Sequence, residues 1–408
     1  MTDSKHEADN EVPYRKRLAL IAVSYFVAIT GFYLVFPILP PLFRELGLSV
    51  FETGIILSLG PLMLILVSPF WGGLSDRRGR KPIFLLGLVG FSLGFLLFTL
   101  VAQFGLGGAI GGLALLALFV PARALMGGAF AAMPVTGQAY IADITTTEQR
   151  SGAIALFGIA GLLAVVLGPA LGGALATFGL LVPFYVGALV PLLFVVLLWV
   201  ALPEPARYAD EETPTLSPFD DRVAIYLLAG VGALTMLTVL FATLGFYLQD
   251  TFSLSAQATA RDTGIGLAIT ALAAFVVQAT IFAKSPPPTP LLFAGFPVAC
   301  VGFFAVPAVP TFEFVLLALA IGGVGLGMVV PAVISALTLA VSETEQGAVA
   351  GLTSSSQGMG AFAGPLIGTA LYEVDPAYPF IFCGLVAVLL VGVLAVNRPQ
   401  LPTMDTQP

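Results

Sequence analysis

Charge is scarce in this chain. Asp, Glu, Lys and Arg make up 10% of its 408 residues, against about 25% in ordinary soluble domains. Too little polar material remains to cover a water-facing globule, and the mean hydropathy of +1.02 says the same. Histidine is nearly absent: His6 is the single one, and it lies in the polar first segment. The two cysteines, Cys300 and Cys383, both sit inside apolar runs. Neither a disulfide framework nor a His- or Cys-based metal site can be built from such a set, so no metal and no cofactor is expected. No basic patch of nucleic-acid type exists outside one short loop. The net charge of −7 comes largely from acids ahead of the first apolar run and from Glu204, Asp210, Glu211, Glu212, Asp220 and Asp221 within 203–222. A glycine-rich stretch at 322–327 (GGVGLG) lies in an apolar run rather than after a strand, which removes a nucleotide-binding reading. No nucleophile, metal cluster or phosphate loop supports an enzyme. A cleavable leader is not expected either, since the first 17 residues are polar and no A-x-A-like site follows the apolar run.

What is abundant is uncharged length. A helix needs ~20 apolar residues to cross a hydrocarbon core of ~30 Å. Stretches of that size occur at 18–43, 53–75, 223–249, 263–283, 285–312, 314–342, 346–372 and 376–397. Two longer blocks hold two spans each: 82–142, with a Gly-rich turn near 105–108, and 151–203, with a turn near 178–183. The total expected is twelve. With a cytoplasmic N-terminus, thirteen of the sixteen basic residues fall inside, Arg44 and Arg261 fall outside, and Arg123 is within a span. That bias predicts both termini on the cytoplasmic side of a cell inner (plasma) membrane.

The longest polar segment between spans divides the chain into six helices and six. The expected organisation is a tail at 1–17, a bundle at 18–202, a central loop at 203–222, a second bundle at 223–397 and a tail at 398–408. The halves share a fragment: 168–175 reads GPALGGAL and 364–371 reads GPLIGTAL, 196 residues later, with five of eight positions identical. Parallel repeats around a midplane site are a common plan for secondary transporters.

Three motifs carry chemistry. The first, GGLSDRRGRK at 72–81, follows the second span. Gly72 and Gly79 are expected to let the backbone turn tightly, and Asp76 is an acid in a basic loop that can sit against a helix N-terminus. The second is Arg123, ahead of a Gly-rich face in span 4. A charge there either faces the protein interior or snorkels to the outer interface. The third is Gly168-Pro169-Ala170-Leu171-Gly172-Gly173 in span 5, echoed by Gly364, Pro365 and Gly368. Small residues let helices approach closely; packing alone is the plainer reading of that motif.

These motifs, with the helix count and the two halves, resemble the major facilitator superfamily, and the third resembles the signature of its drug:proton antiporter branch. The resemblance implies an all-α membrane protein of twelve helices in two pseudo-symmetric six-helix bundles. It further implies a conformational latch of Gly72, Asp76, Arg77, Gly79, Arg80, Lys81 and Asp143, with Asp76 facing the start of helix 11 and Arg80 pairing with Asp143. Cavity residues would come from the first helix of each three-helix unit and its neighbours: Tyr25, Tyr33, Arg123, Met126, Thr243, Tyr247, Gln278 and Gln357. Taken singly, each is better read as serving interhelical hydrogen bonding or plain packing. As a set they describe a large apolar cavity with few polar anchors. The function implied is proton-coupled efflux of small amphipathic compounds by a monomer in the bilayer. Dedicated export of an endogenous metabolite such as a siderophore, or uptake, stays open. Coupling is the difficulty, because the carboxylates Glu52, Asp250, Glu313 and Glu373 are expected at outer ends and Asp76 and Asp143 at the cytoplasmic face.

Overall fold

The computed structural model describes residues 13–205, 216–284 and 286–397. Residues 1–12 of the expected tail at 1–17, the expected tail at 398–408 and the acidic centre of the loop, 206–215, lie outside the described residues; residues 14–17 already belong to α1. Among the described residues the regular structure is helical: α1 (Tyr14–Leu34), α2 (Leu39–Glu45), α3 (Val50–Arg78), α4 (Arg80–Leu106), α5 (Leu113–Phe130), α6 (Ala132–Ile144), α7 (Thr147–Ala176), α8 (Val182–Ala201), α9 (Ala224–Phe252), α10 (Ala256–Lys284), α11 (Pro288–Ala305), α12 (Phe312–Leu339), α13 (Gln346–Val374) and α14 (Tyr378–Asn397).

Among the described residues, eleven segments are long and apolar enough to cross a membrane, with α5 and α6 counting as one at Leu113–Ile144. The twelfth column is α13. It has 29 residues, but Thr353, Ser354, Ser355, Ser356 and Gln357 dilute its apolar character. The expected span at 18–43 divides into α1 and the short α2. Pro37, Pro40 and Pro41 account for the break, since proline withholds a helical N–H and crowds the preceding turn. Span 4 bends between α5 and α6, where Pro134 cannot donate to the Phe130 carbonyl. The Gly-rich turn falls slightly later than expected, after Leu106, with Gly108 and Gly112 at φ of +72° and +53°.

The helix pairings repeat in the two halves. In the first, α1 packs on α7, and α4 on α5 and α8; in the second, α9 packs on α13, and α11 on α12 and α14. The halves meet through α3 on α13 and α7 on α10, which exchange places under the same six-span shift. The repeat seen at GPALGG and GPLIGT is therefore a repeat of packing. Large apolar side chains such as Leu193, Val196, Val200, Leu389 and Val396 point outward. Helices apolar on both their inner and outer faces belong in lipid.

Candidate substrate and coupling site

At the end of the molecule that carries both described termini, α3 and α4 are joined by a single residue. Gly79 has φ +111°, a region L side chains avoid, and its N–H bonds to the Ser75 carbonyl. Any Cβ there would also stand 2.6 Å from a Glu204 carboxylate oxygen. That carboxylate, just beyond α8, accepts the backbone N–H groups of Arg80 at 2.6 Å and Lys81 at 3.0 Å. It thus serves the orphan donors at the start of α4. Lys81 Nζ donates to the Trp199 carbonyl at 2.7 Å. Arg80 Nε donates to Asp143 at 2.9 Å, and Nη1 donates to Ser75 Oγ at 2.8 Å and to Asp76. Arg80 and Asp143 side chains are each 8% exposed, while Asp76 is 53% exposed. Arg77 is exposed as well. Gly72 differs from the expectation: it lies inside α3, where a Cβ would only touch Val135 at 3.7 Å. The turn rests on Gly79 alone. Glu204 carried no sequence signal, being 123 residues from Lys81 and one acid among several in a polar segment.

Arg123 is the largest fully buried side chain, 1% exposed, a third of the way along Leu113–Ile144. It does not snorkel. Its Nη1 points at Met126 Sδ, 3.8 Å away, a weak acceptor. Phe32 covers the guanidinium with its ring centroid 5.0 Å from Cζ. On α3, Gly60 leaves the room the group occupies, for a Cβ there would stand 3.1 Å from Nη2, 3.3 Å from Cζ and 3.4 Å from Nε. Nε and Nη2 find no acceptor among the described residues. Around this group Phe32 stacks on Phe130 at 4.8 Å, and Phe130 meets Phe91 at 5.6 Å.

The other expected cavity residues are distributed. Tyr25 stacks on Phe157 at 3.9 Å, and Tyr33 meets Phe241 of the second half edge-on at 5.7 Å. Met126 is buried beside Arg123. Thr243 and Tyr247 are packed inside the second bundle: Thr243 Oγ1 donates to the Val239 carbonyl at 2.8 Å and Tyr247 Oη to the Val306 carbonyl at 3.1 Å. The structure does not bring these two to Arg123, because their hydroxyls find acceptors in their own half. Gln278 and Gln357 are half-buried.

The small residues set helix contacts. Gly168 and Gly172 bring α7 against Tyr33 and Leu34 of α1. Gly173 and the Pro169 carbonyl meet Gly264 of α10, across the halves. Gly364, Pro365 and Gly368 do the same for α13: Gly364 and Gly368 touch Thr238 and Val239 of α9, and the Pro365 carbonyl lies 2.8 Å from a Cβ at Gly54 of α3.

At the face away from the termini, ions join the halves. Arg44, in the last turn of α2, donates through both terminal nitrogens to Asp250 of α9, which also accepts Tyr372 Oη at 2.7 Å. Arg44 lies over the Phe246 ring, and Glu373 accepts the Phe51 N–H at 2.9 Å. The sequence placed Arg44 and Asp250 at one end of their spans but could not pair residues 206 positions apart. It also passed over Asp262, in the second turn of α10, which is 7% exposed and 2.7 Å from Arg261 Nε. Near the termini of the second half, Arg222 Nη2 contacts Asp220 at 2.8 Å and Glu345 at 3.0 Å. Hydrogen bonds from Arg222 hold the Asp220 carboxyl down at about 2. Arg222, aided by Ser342, does the same for Glu345.

A family model described as Major Facilitator Superfamily matches residues 21–312 and, again, 287–405. The chain belongs to the major facilitator superfamily. Among superfamily relatives, Multidrug resistance protein 2 of Bacillus subtilis (strain 168) is 27% identical over 95% of this chain and 96% of its own length. Multidrug resistance protein 1 of the same organism is 28% identical over 90% and 92%. Quinolone resistance protein NorA of Staphylococcus aureus (strain MRSA252) is 26% identical over 96% and 99%. In fold the chain is similar to a bacterial homolog of the human lysosomal transporter Spinster, solved inward-facing and occupied. The TM-score is 0.77, with 16% identity over 95% of this chain and 98% of that one. A nucleoside transporter, NupG, superposes with a TM-score of 0.76 at 13% identity over 93% and 99%.

Proposed function

We propose that the protein is a secondary active exporter of small amphipathic organic compounds, driven by protons through alternating access. One observation carries the reading. Relatives named for multidrug and quinolone resistance align along at least 90% of the chain, and the interior residues at Arg123 form an apolar, aromatic cradle of the kind such cargo requires. The protein acts as a monomer in the inner membrane with both termini cytoplasmic, and its bundles are 18–202 and 223–397. Asp76, Arg80 and Asp143, with Gly79, Lys81 and their neighbours, form the cytoplasmic latch. Arg44, Asp250 and Tyr372 form the outer gate, which is closed in the state described. The proton carrier is Asp262, a buried carboxylate within a span, beside an arginine whose own side chain is largely exposed.

The experiment is proton flux in proteoliposomes containing the purified protein and an internal pH dye. Cationic dyes and anionic chelators are added in turn. Substrate-dependent proton release against an imposed gradient is the expected result. Movement of labelled compound with no proton signal would replace antiport by uncoupled or otherwise coupled carriage.

A further inference from the structure

We infer that Arg123 is a substrate-binding group for a carboxylate, so that the preferred cargo is an amphipathic organic monoanion with an aromatic or apolar body. The inference rests on the exporter reading and narrows its substrate class.

Three near-equal distances from a Gly60 Cβ to Nη2, Cζ and Nε, 3.1, 3.3 and 3.4 Å, place the Gly60 backbone over a face of the guanidinium and not at its edge. Phe32 also stands over the group, 5.0 Å from Cζ to the ring centroid. In the plane, Nη1 is directed at Met126 Sδ. The Nε–Nη2 edge remains, and it is the edge without an acceptor among the described residues. That edge presents two parallel N–H groups, the fork that matches the two oxygens of a carboxylate. A lysine at the same place would supply a point charge without the matching pair of donors.

Charge balance argues the same way. Among the described residues, no Asp or Glu lies deeper in a helix than the second turn from its end. Glu52, on the same helix as Gly60, is eight residues away, ~12 Å along the axis. The cradle therefore holds one positive charge and no built-in counter-ion. A buried guanidinium with two free donors is costly to maintain, and an anionic ligand removes that cost while a cationic one adds to it. The rings of Phe32, Phe130 and Phe91 then offer the apolar surface for the ligand body.

The test uses the intact protein in proteoliposomes with three probes that share one dansyl body: dansylglycine, its primary amide and dansylcadaverine. In the wild type, KM for dansylglycine is expected about tenfold or more below that of the amide, the size of a charged hydrogen-bonded pair. Arg123→Gln brings the ratio of the two KM values to about one, and Arg123→Lys restores part of it. Equal KM values in the wild type overturn the inference without any variant being needed. So does an Arg123→Gln protein in which Vmax falls for all probes at unchanged KM ratio, which is what a packing role produces. Transport of dansylcadaverine without dansylglycine leaves the exporter standing and removes the carboxylate. No transport of any probe, with no shift of thermal unfolding by any of them, removes both.

Discussion

Arg80 Nε and a carboxylate oxygen of Asp143 are 2.9 Å apart, on side chains that are each 8% exposed. The pair ties the start of α4 to the end of α6. Asp143→Asn keeps the shape and an accepting oxygen but removes the charge, leaving Asp76 as the one charged acceptor of Arg80 among those described. The expected cost is about 1–3 kcal/mol, read as a lower thermal midpoint in detergent, together with slower substrate turnover. Unchanged turnover in a folded protein would remove Asp143 from the latch.

The two glycines of the loop motif separate cleanly. Gly79→Ala meets both a positive φ and the Glu204 carboxylate, at a cost of about 1–3 kcal/mol. Gly72→Ala adds a methyl inside α3 with only Val135 nearby, which favours the helix by about 0.5–1 kcal/mol. Thermal unfolding of the two variants should move in opposite directions. The same direction for both would show that the turn does not rest on Gly79 alone.

Asp250 accepts Arg44 from the other half and Tyr372 from its own. Asp250→Asn loosens the outer gate. A cysteine placed at Phe241, packed between Tyr33 and Phe36, then reacts faster with an impermeant maleimide added from the side away from the termini. The double exchange Arg44→Asp with Asp250→Arg should slow the reaction again. Failure of the exchange to do so would argue that the pair does not close the gate.

If Asp262 carries the proton, Asp262→Asn loses substrate-driven proton flux but keeps downhill exchange of labelled substrate. Arg261→Gln removes the 2.7 Å contact to that carboxylate and should alter proton flux while leaving downhill exchange in place. A proton signal equal to wild type in Asp262→Asn rejects the assignment.

Arg222 depresses Asp220 and Glu345 to about 2. A carboxylate with a lowered native value stabilises above its unfolded value, near 4, and loses that contribution as pH falls towards 2. The difference in thermal midpoint between wild type and Arg222→Ala is therefore constant from pH 8 to 5.5 and shrinks below about 4. All three groups face water, so the difference is small and added salt reduces it further. A difference that changes between pH 8 and 5.5 would point to some other titrating group.

Much of the architecture was legible because lipid imposes a simple length rule on uncharged segments, and because Gly-Pro fragments recur at the same place in both halves. The Arg80–Asp143 pair was expected from resemblance, and its geometry agrees. What stayed hidden was long-range. Glu204 caps α4 from 123 positions away, and Arg44 reaches Asp250 across 206; neither leaves a periodic trace. Gly72 misled because a glycine in a turn motif reads as a turn residue whether or not it turns. Thr243 and Tyr247 misled because a hydroxyl in a span can satisfy itself on a carbonyl of its own bundle, and no pattern distinguishes that from an open one. Arg123 stood out at once, yet which nitrogens are left free is decided by Gly60, Phe32 and Met126 together.

Where Gly173 meets Gly264, the halves touch backbone to backbone. Such a seam has no interlocking knobs and no rotamers to reset, so it can act as a bearing, and the two bodies can roll past one another at little cost. The same smoothness makes it vulnerable to a wedge. Gly264→Leu would jam the bearing and trap the carrier in a state where the halves have parted, giving crystallographers the other end of the cycle from one added side chain.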